Sequence, residues 1–94
     1  MIRSFRSRAL RRYWLENDVR GIRPDWLDRV RLILSRLDQA EQPRQMDIPG
    51  LNFHALKGDR RGRYSVLVSR NWRVTFSWRG KDATDVDMED YHGA

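Results

Sequence analysis

Apolar residues in this chain recur first at helical and then at strand spacing. Ile2 and Ser4 alternate with Arg3 and Phe5, which predicts a short opening strand. Ser7 suits a helix N-cap, Leu10, Tyr13 and Trp14 fall on one helical face, and the stretch from Asn17 to Gly21 predicts the stop. "RPDWLDRVRLILSRLDQ" predicts a second helix, with Pro24 in its first position and Asp25 and Asp28 near the positive end of its dipole. Trp26, Val30, Ile33 and Leu37 form its apolar stripe, Leu27 and Leu34 widen it, and Arg29, Arg31 and Arg36 take the polar side. Beyond a loop holding Pro43, Pro49 and Gly50, the period falls to two. Tyr64, Val66 and Val68 share one face of "YSVLV"; Trp72, Val74, Phe76 and Trp78 share one face of the next run, opposite Arg73, Thr75 and Ser77. A last strand from Ala83 is expected to set Thr84, Val86 and Met88 against Asp85, Asp87 and Glu89, with turns at Ser69-Arg70-Asn71 and around Gly80. Helices first and strands later predict one α+β domain over residues 1–94: a mainly antiparallel sheet with two N-terminal helices packed on one face.

Composition supports a folded domain. Apolar residues make up 39% of the 94, enough for a core although 34% are charged. Without cysteine, the chain can hold neither a disulfide nor a thiolate metal site. The basic N-terminus lacks the apolar core of a signal peptide, and no run reaches the roughly 20 apolar residues that span a bilayer. A soluble cytoplasmic protein with no membrane partner is the expectation. Charge narrows the class of partner. Seventeen of the nineteen basic residues are arginine, the side chain best shaped for phosphate. Residues 1–80 carry eighteen basic and eight acidic groups, whereas residues 81–94 carry one and five. That is the footprint of a nucleic-acid binder with a locally acidic end.

No phosphate-binding glycine loop, zinc spacing or nucleophile elbow is present. What remains is His54, the basic loop "LKGDRRGR" with Lys57, Arg60, Arg61 and Arg63, then Arg73, and the closing Asp90, Tyr91 and His92. These are the parts of a metal-free ribonuclease: an acid and a base near neutral pH, and cations for charge building on phosphorus. No cofactor is expected. Each also has an ordinary reading, as a surface histidine, a charged turn, or a tyrosine that packs the chain end. Asp85, Asp87 and Glu89 fit either a solvated strand face or a cation site. Pattern alone supports a basic α+β domain that binds RNA or DNA.

The stretch "HALKGDRRGRYSVLVSRNWRVTFSW", the opening "MIRSF" and the ending "DVDMEDYH" together resemble the HigB toxins of the RelE superfamily, in order and spacing over essentially the whole chain. Ala55 and Tyr64 depart from the usual proline and tryptophan, and Gly93 and Ala94 extend past the usual terminal histidine. The resemblance implies a type II toxin that cuts messenger RNA in the ribosomal A site. It also implies a helix-turn-helix antitoxin, HigA, whose complex with the toxin binds operator DNA. His54, Asp90, Tyr91 and His92 would be the catalytic residues. Lys57 and Arg73 would contact phosphate and Asn71 a base, and the basic loop adds Arg60 and Arg61 as RNA-binding candidates. A non-catalytic RNA- or ribosome-binding module of the same fold, and a gyrase-directed ParE-like toxin, are the alternatives.

Overall fold

A computed structural model describes residues 1–90. Helix α1 spans Arg8–Glu16. Ser7 starts it as expected: its Oγ accepts a bond from the Leu10 amide at 3.1 Å. Asn17 ends it in the left-handed region, at φ 55°, where its short polar side chain is tolerated. The second helical segment opens as a 3-10 turn, Pro24–Trp26, and continues as α2, Leu27–Gln39. Pro24 stands at the start of that turn, where the absent amide proton costs nothing.

Four strands follow: β1 (His54–Ala55), β2 (Arg63–Ser69), β3 (Trp72–Arg79) and β4 (Asp82–Asp90). They form a meander in chain order, each neighbouring pair antiparallel. The fold is therefore the expected α+β arrangement. Both helices pack on one sheet face, where Leu10, Tyr13, Val30, Ile33, Leu34 and Leu37 join Val66, Val74, Phe76 and Val86 in a buried cluster. The tryptophans serve this core: Trp14, Trp26, Trp72 and Trp78 are partly buried against it. Among the described residues, no helix is long and apolar enough to cross a membrane.

Two details differ from the expected pattern. The opening segment makes two isolated parallel bridges to the outer edge of β4, Ile2 with Ala83 and Phe5 with Val86, instead of a continuous strand. Covering that edge blunts a site of unwanted strand pairing. The cause is a bulge. Thr75 faces Asp87 but Ser77 faces Thr84, so β4 holds one extra residue, and Asp85 takes φ 50°. Its amide donates to Ser4 Oγ at 2.9 Å, and the Val86 amide to the Ser4 carbonyl at 3.0 Å. The extra residue shifts the alternation. Ala83, opposite Trp78, joins the core, while Thr84 stands opposite Ser77 on the polar face. Asp85, Asp87 and Glu89 therefore do not share one regular strand face.

Candidate active site

The sheet face turned away from the helices carries the candidate chemistry. Pairing sets His54, Ser65, Thr75 and Asp87 side by side across all four strands. The next row holds Leu67, Arg73 and Glu89; on the other flank lie Arg63, Ser77 and Thr84. Residues directly opposite in an antiparallel ladder share a face. His54 is thus displayed, exposed, at the β1 edge of a polar surface.

Much of that surface is closed to water, which alternation alone does not predict. Arg63 is 7% exposed, Ser65 1% and Thr75 0%. Arg63 lies flat on the sheet, donating to Ser77 Oγ and Thr75 Oγ1, each at 2.9 Å, and to the Asp85 carbonyl at 3.0 Å. The Asp85 bulge therefore supplies an acceptor for a buried cation. From the turn Gly58–Arg60, Arg60 reaches over two strands and donates to Glu89 Oε2 at 2.7 Å. The Thr75 hydroxyl donates to that same oxygen, and Arg63 Nη2 lies 3.8 Å from it.

Electrostatics follow from this geometry. Burial would raise the Glu89 pKa, but the bonds from Arg60 and Thr75 and the charges of Arg60 and Arg63 outweigh it, leaving the group below its ordinary 4.5. Burial also lowers the Arg63 pKa, as do the Arg6 and Arg60 charges, while Glu89 and Asp87 oppose them. Its guanidinium stays charged. The result is a carboxylate–arginine lattice on the same sheet face as His54.

Of the residues named from sequence, His54, Arg60 and Arg73 come to this face. Lys57 and Arg61 flank the Gly58–Arg60 turn and are exposed, and Asn71 is exposed in the turn joining β2 to β3. Asp90 stands at the end of β4 opposite Trp72, whose ring meets Trp26 at 5.3 Å on the helical side. Tyr91 and His92 lie outside the described residues. Arg63, named in the basic loop, also comes to this face, and Glu89 and Thr75 are the members not singled out as site residues from sequence. Their signal was present in part: Thr75 and Glu89 sit on polar sides of their strands, but only the tertiary register shows that both meet the basic loop.

Comparison with known proteins agrees with this architecture. Residues 3–92 match the family model HigB-like toxin, described as the RelE-like toxin of type II toxin-antitoxin system HigB. Over 92 residues, covering 98% of this chain and 100% of the relative, the sequence is 34% identical to Endoribonuclease HigB of Proteus vulgaris. The chain belongs to the HigB-like, RelE-like toxins of type II toxin–antitoxin systems, and so has an antitoxin partner.

Proposed function

We propose that this toxin is an endoribonuclease that cuts messenger RNA during translation, in the ribosomal A site, and thereby arrests growth. The endoribonuclease class rests on family membership and on the full-length relative of that name. The observation that carries the chemistry is the placing of His54 on one sheet face with Arg60, Arg63 and Arg73.

In the proposed reaction, a ribose 2′-hydroxyl attacks the adjacent phosphorus. The O2′–P bond forms as the P–O5′ bond breaks, giving a 2′,3′-cyclic phosphate and a 5′-hydroxyl end. A base takes the 2′ proton and an acid returns one to O5′. His54 and His92 share these roles, with Asp90 assisting proton transfer and Tyr91 orienting a nucleotide. Arg73, Lys57, Arg60 and Arg61 stabilise the phosphorane charge or hold flanking phosphates, and Asn71 contacts a base. The nucleophile belongs to the substrate and the cations to the protein, so the mechanism needs no metal. Requiring a 2′-hydroxyl makes it selective for RNA. The reading places the protein in the cytoplasm and gives it a HigA-type helix-turn-helix antitoxin, whose complex with the toxin binds operator DNA. Residues 1–94 act as one domain.

Purified His54→Ala protein added to a translating extract tests the chemistry. Loss of a proton-transfer group predicts roughly 10²-fold or slower cleavage with ribosome binding retained. Cleavage at the wild-type rate would refute the role of His54.

A further inference from the structure

The loop between β1 and β2 carries three of the cations assigned to the site, Lys57, Arg60 and Arg61, and its backbone ties it down only at the base. β1 itself contributes two residues and pairs on one side alone, with β2. The Leu56 amide donates to the Arg63 carbonyl at 2.8 Å and closes the loop. Beyond that bond the pairing is local: the Arg60 amide to the Lys57 carbonyl at 3.2 Å, and the Arg61 amide to the Gly58 carbonyl at 3.1 Å. Lys57, Asp59 and Arg61 make no side-chain hydrogen bond or salt bridge to a described residue.

Arg60 differs. Its 2.7 Å bond to Glu89 Oε2 joins residues 29 apart and runs from the loop to β4. The two ends of this pair are held very differently. The Glu89 carboxylate also accepts from Thr75 Oγ1 and lies 3.8 Å from Arg63 Nη2. Thr75 is wholly buried and Arg63 nearly so, and both belong to the inner strands β2 and β3. The carboxylate is therefore fixed from the sheet side, whereas Arg60 arrives on a turn made of local bonds. The pair constrains the loop, not the sheet. Because Lys57 follows His54 by three residues, holding the loop also holds the end of β1.

We propose that Glu89 is a positioning residue for RNA cleavage: through Arg60 it holds residues 57–62 over the His54 face, so that the loop cations are in place before a phosphate arrives. The proposal rests on the reading of the protein as an RNA-cutting enzyme. Glu89 itself does not touch RNA in this account. A carboxylate near a phosphate-binding surface repels the substrate, so by charge alone its loss would strengthen binding. Its contribution is geometric. Cations fixed in advance stabilise charge building on phosphorus without having to reorganise.

Two readouts test this on the full chain, well below its melting transition, with circular dichroism confirming that each variant is folded. The first is amide hydrogen exchange, which needs no RNA. In Glu89→Gln and in Arg60→Met, the Arg60 and Arg61 amides should exchange about tenfold faster, at rates that low urea leaves unchanged because the opening is local. Arg60→Met alters a half-buried turn residue, so this arm decides even where Glu89→Gln unfolds. The second is cleavage of a message on programmed ribosomes. Glu89→Gln should lower kcat about tenfold or more, with KM unchanged or lower. In an Arg60→Met background the same change should matter by less than about twofold, since the tether is already cut. A carboxylate that served stability alone would leave the rate of folded protein untouched. Unchanged loop exchange, an undiminished kcat, a rise in KM in its place, or an equal loss in both backgrounds would overturn the proposal. Wild-type protein that leaves the message intact would refute the enzyme reading, and this proposal with it, whatever the exchange result.

Discussion

Replacing Glu89 with Gln removes one negative charge while keeping an oxygen able to accept from Arg60 and Thr75. In the native protein, Glu89 Oε2 takes the Arg60 bond at 2.7 Å, accepts from Thr75 and lies 3.8 Å from the buried Arg63. Charge-assisted bonds contribute about 1.5–3 kcal/mol and neutral ones roughly half that. Two such bonds weakened, and a buried arginine deprived of its nearest described counter-charge, point to about 3 kcal/mol. The easier burial of a neutral amide returns some of this, leaving a net loss of about 2 kcal/mol. At roughly 4–8 °C per kcal/mol for a domain of this size, the melting temperature should fall by about 8–16 °C. The pH dependence gives a second check. Because the folded carboxyl titrates below its ordinary 4.5, its stabilisation is present above that value and lost as pH falls through the folded pKa. Thermal melts followed by circular dichroism at pH 7 and near pH 3 measure both. The variants should differ at neutral pH and converge in acid. An unchanged melting temperature at pH 7, or a gap that widens in acid, would refute the account of this lattice.

Gly21→Ala should destabilise the fold by about 1 kcal/mol, since its Cβ would meet that of Ala9 at 2.8 Å. Combined with Ala9→Gly, it should cost less than the sum of the single changes in a double-mutant cycle of denaturation midpoints; additivity would refute the contact. Thr75→Val keeps the volume but deletes a fully buried hydroxyl joining Arg63 to Glu89, and should cost about 1–3 kcal/mol by urea unfolding.

The elements were legible because local physics specifies them. Ser7 starts α1 through its side-chain oxygen and Asn17 ends it through its backbone amide, and the Val30–Ile33–Leu37 stripe specifies both a helix and an apolar partner. The hairpins followed from strict alternation in β2 and β3. Alternation failed at Asp85, where Ser4, 81 residues away, holds an amide and stabilises a bulge. It also gave no sign that the polar sheet face is buried, since that depends on the Arg60 turn folding over it. Arginines on the polar side of α2 found distant partners as well. Arg29 donates to the Leu67 and Gly50 carbonyls, and Arg31 to the Tyr13 hydroxyl. Contacts made across long sequence separations leave no period to read. His54 stood out by its chemistry; Glu89 needed the register.

Primer extension on a defined message, incubated with the purified protein with and without translating ribosomes, tests the central claim most directly. The account predicts cuts within codons of the translated region, present only with ribosomes and lost with His54→Ala. Cuts of equal strength on naked RNA, or arrested growth with an intact message, would contradict it.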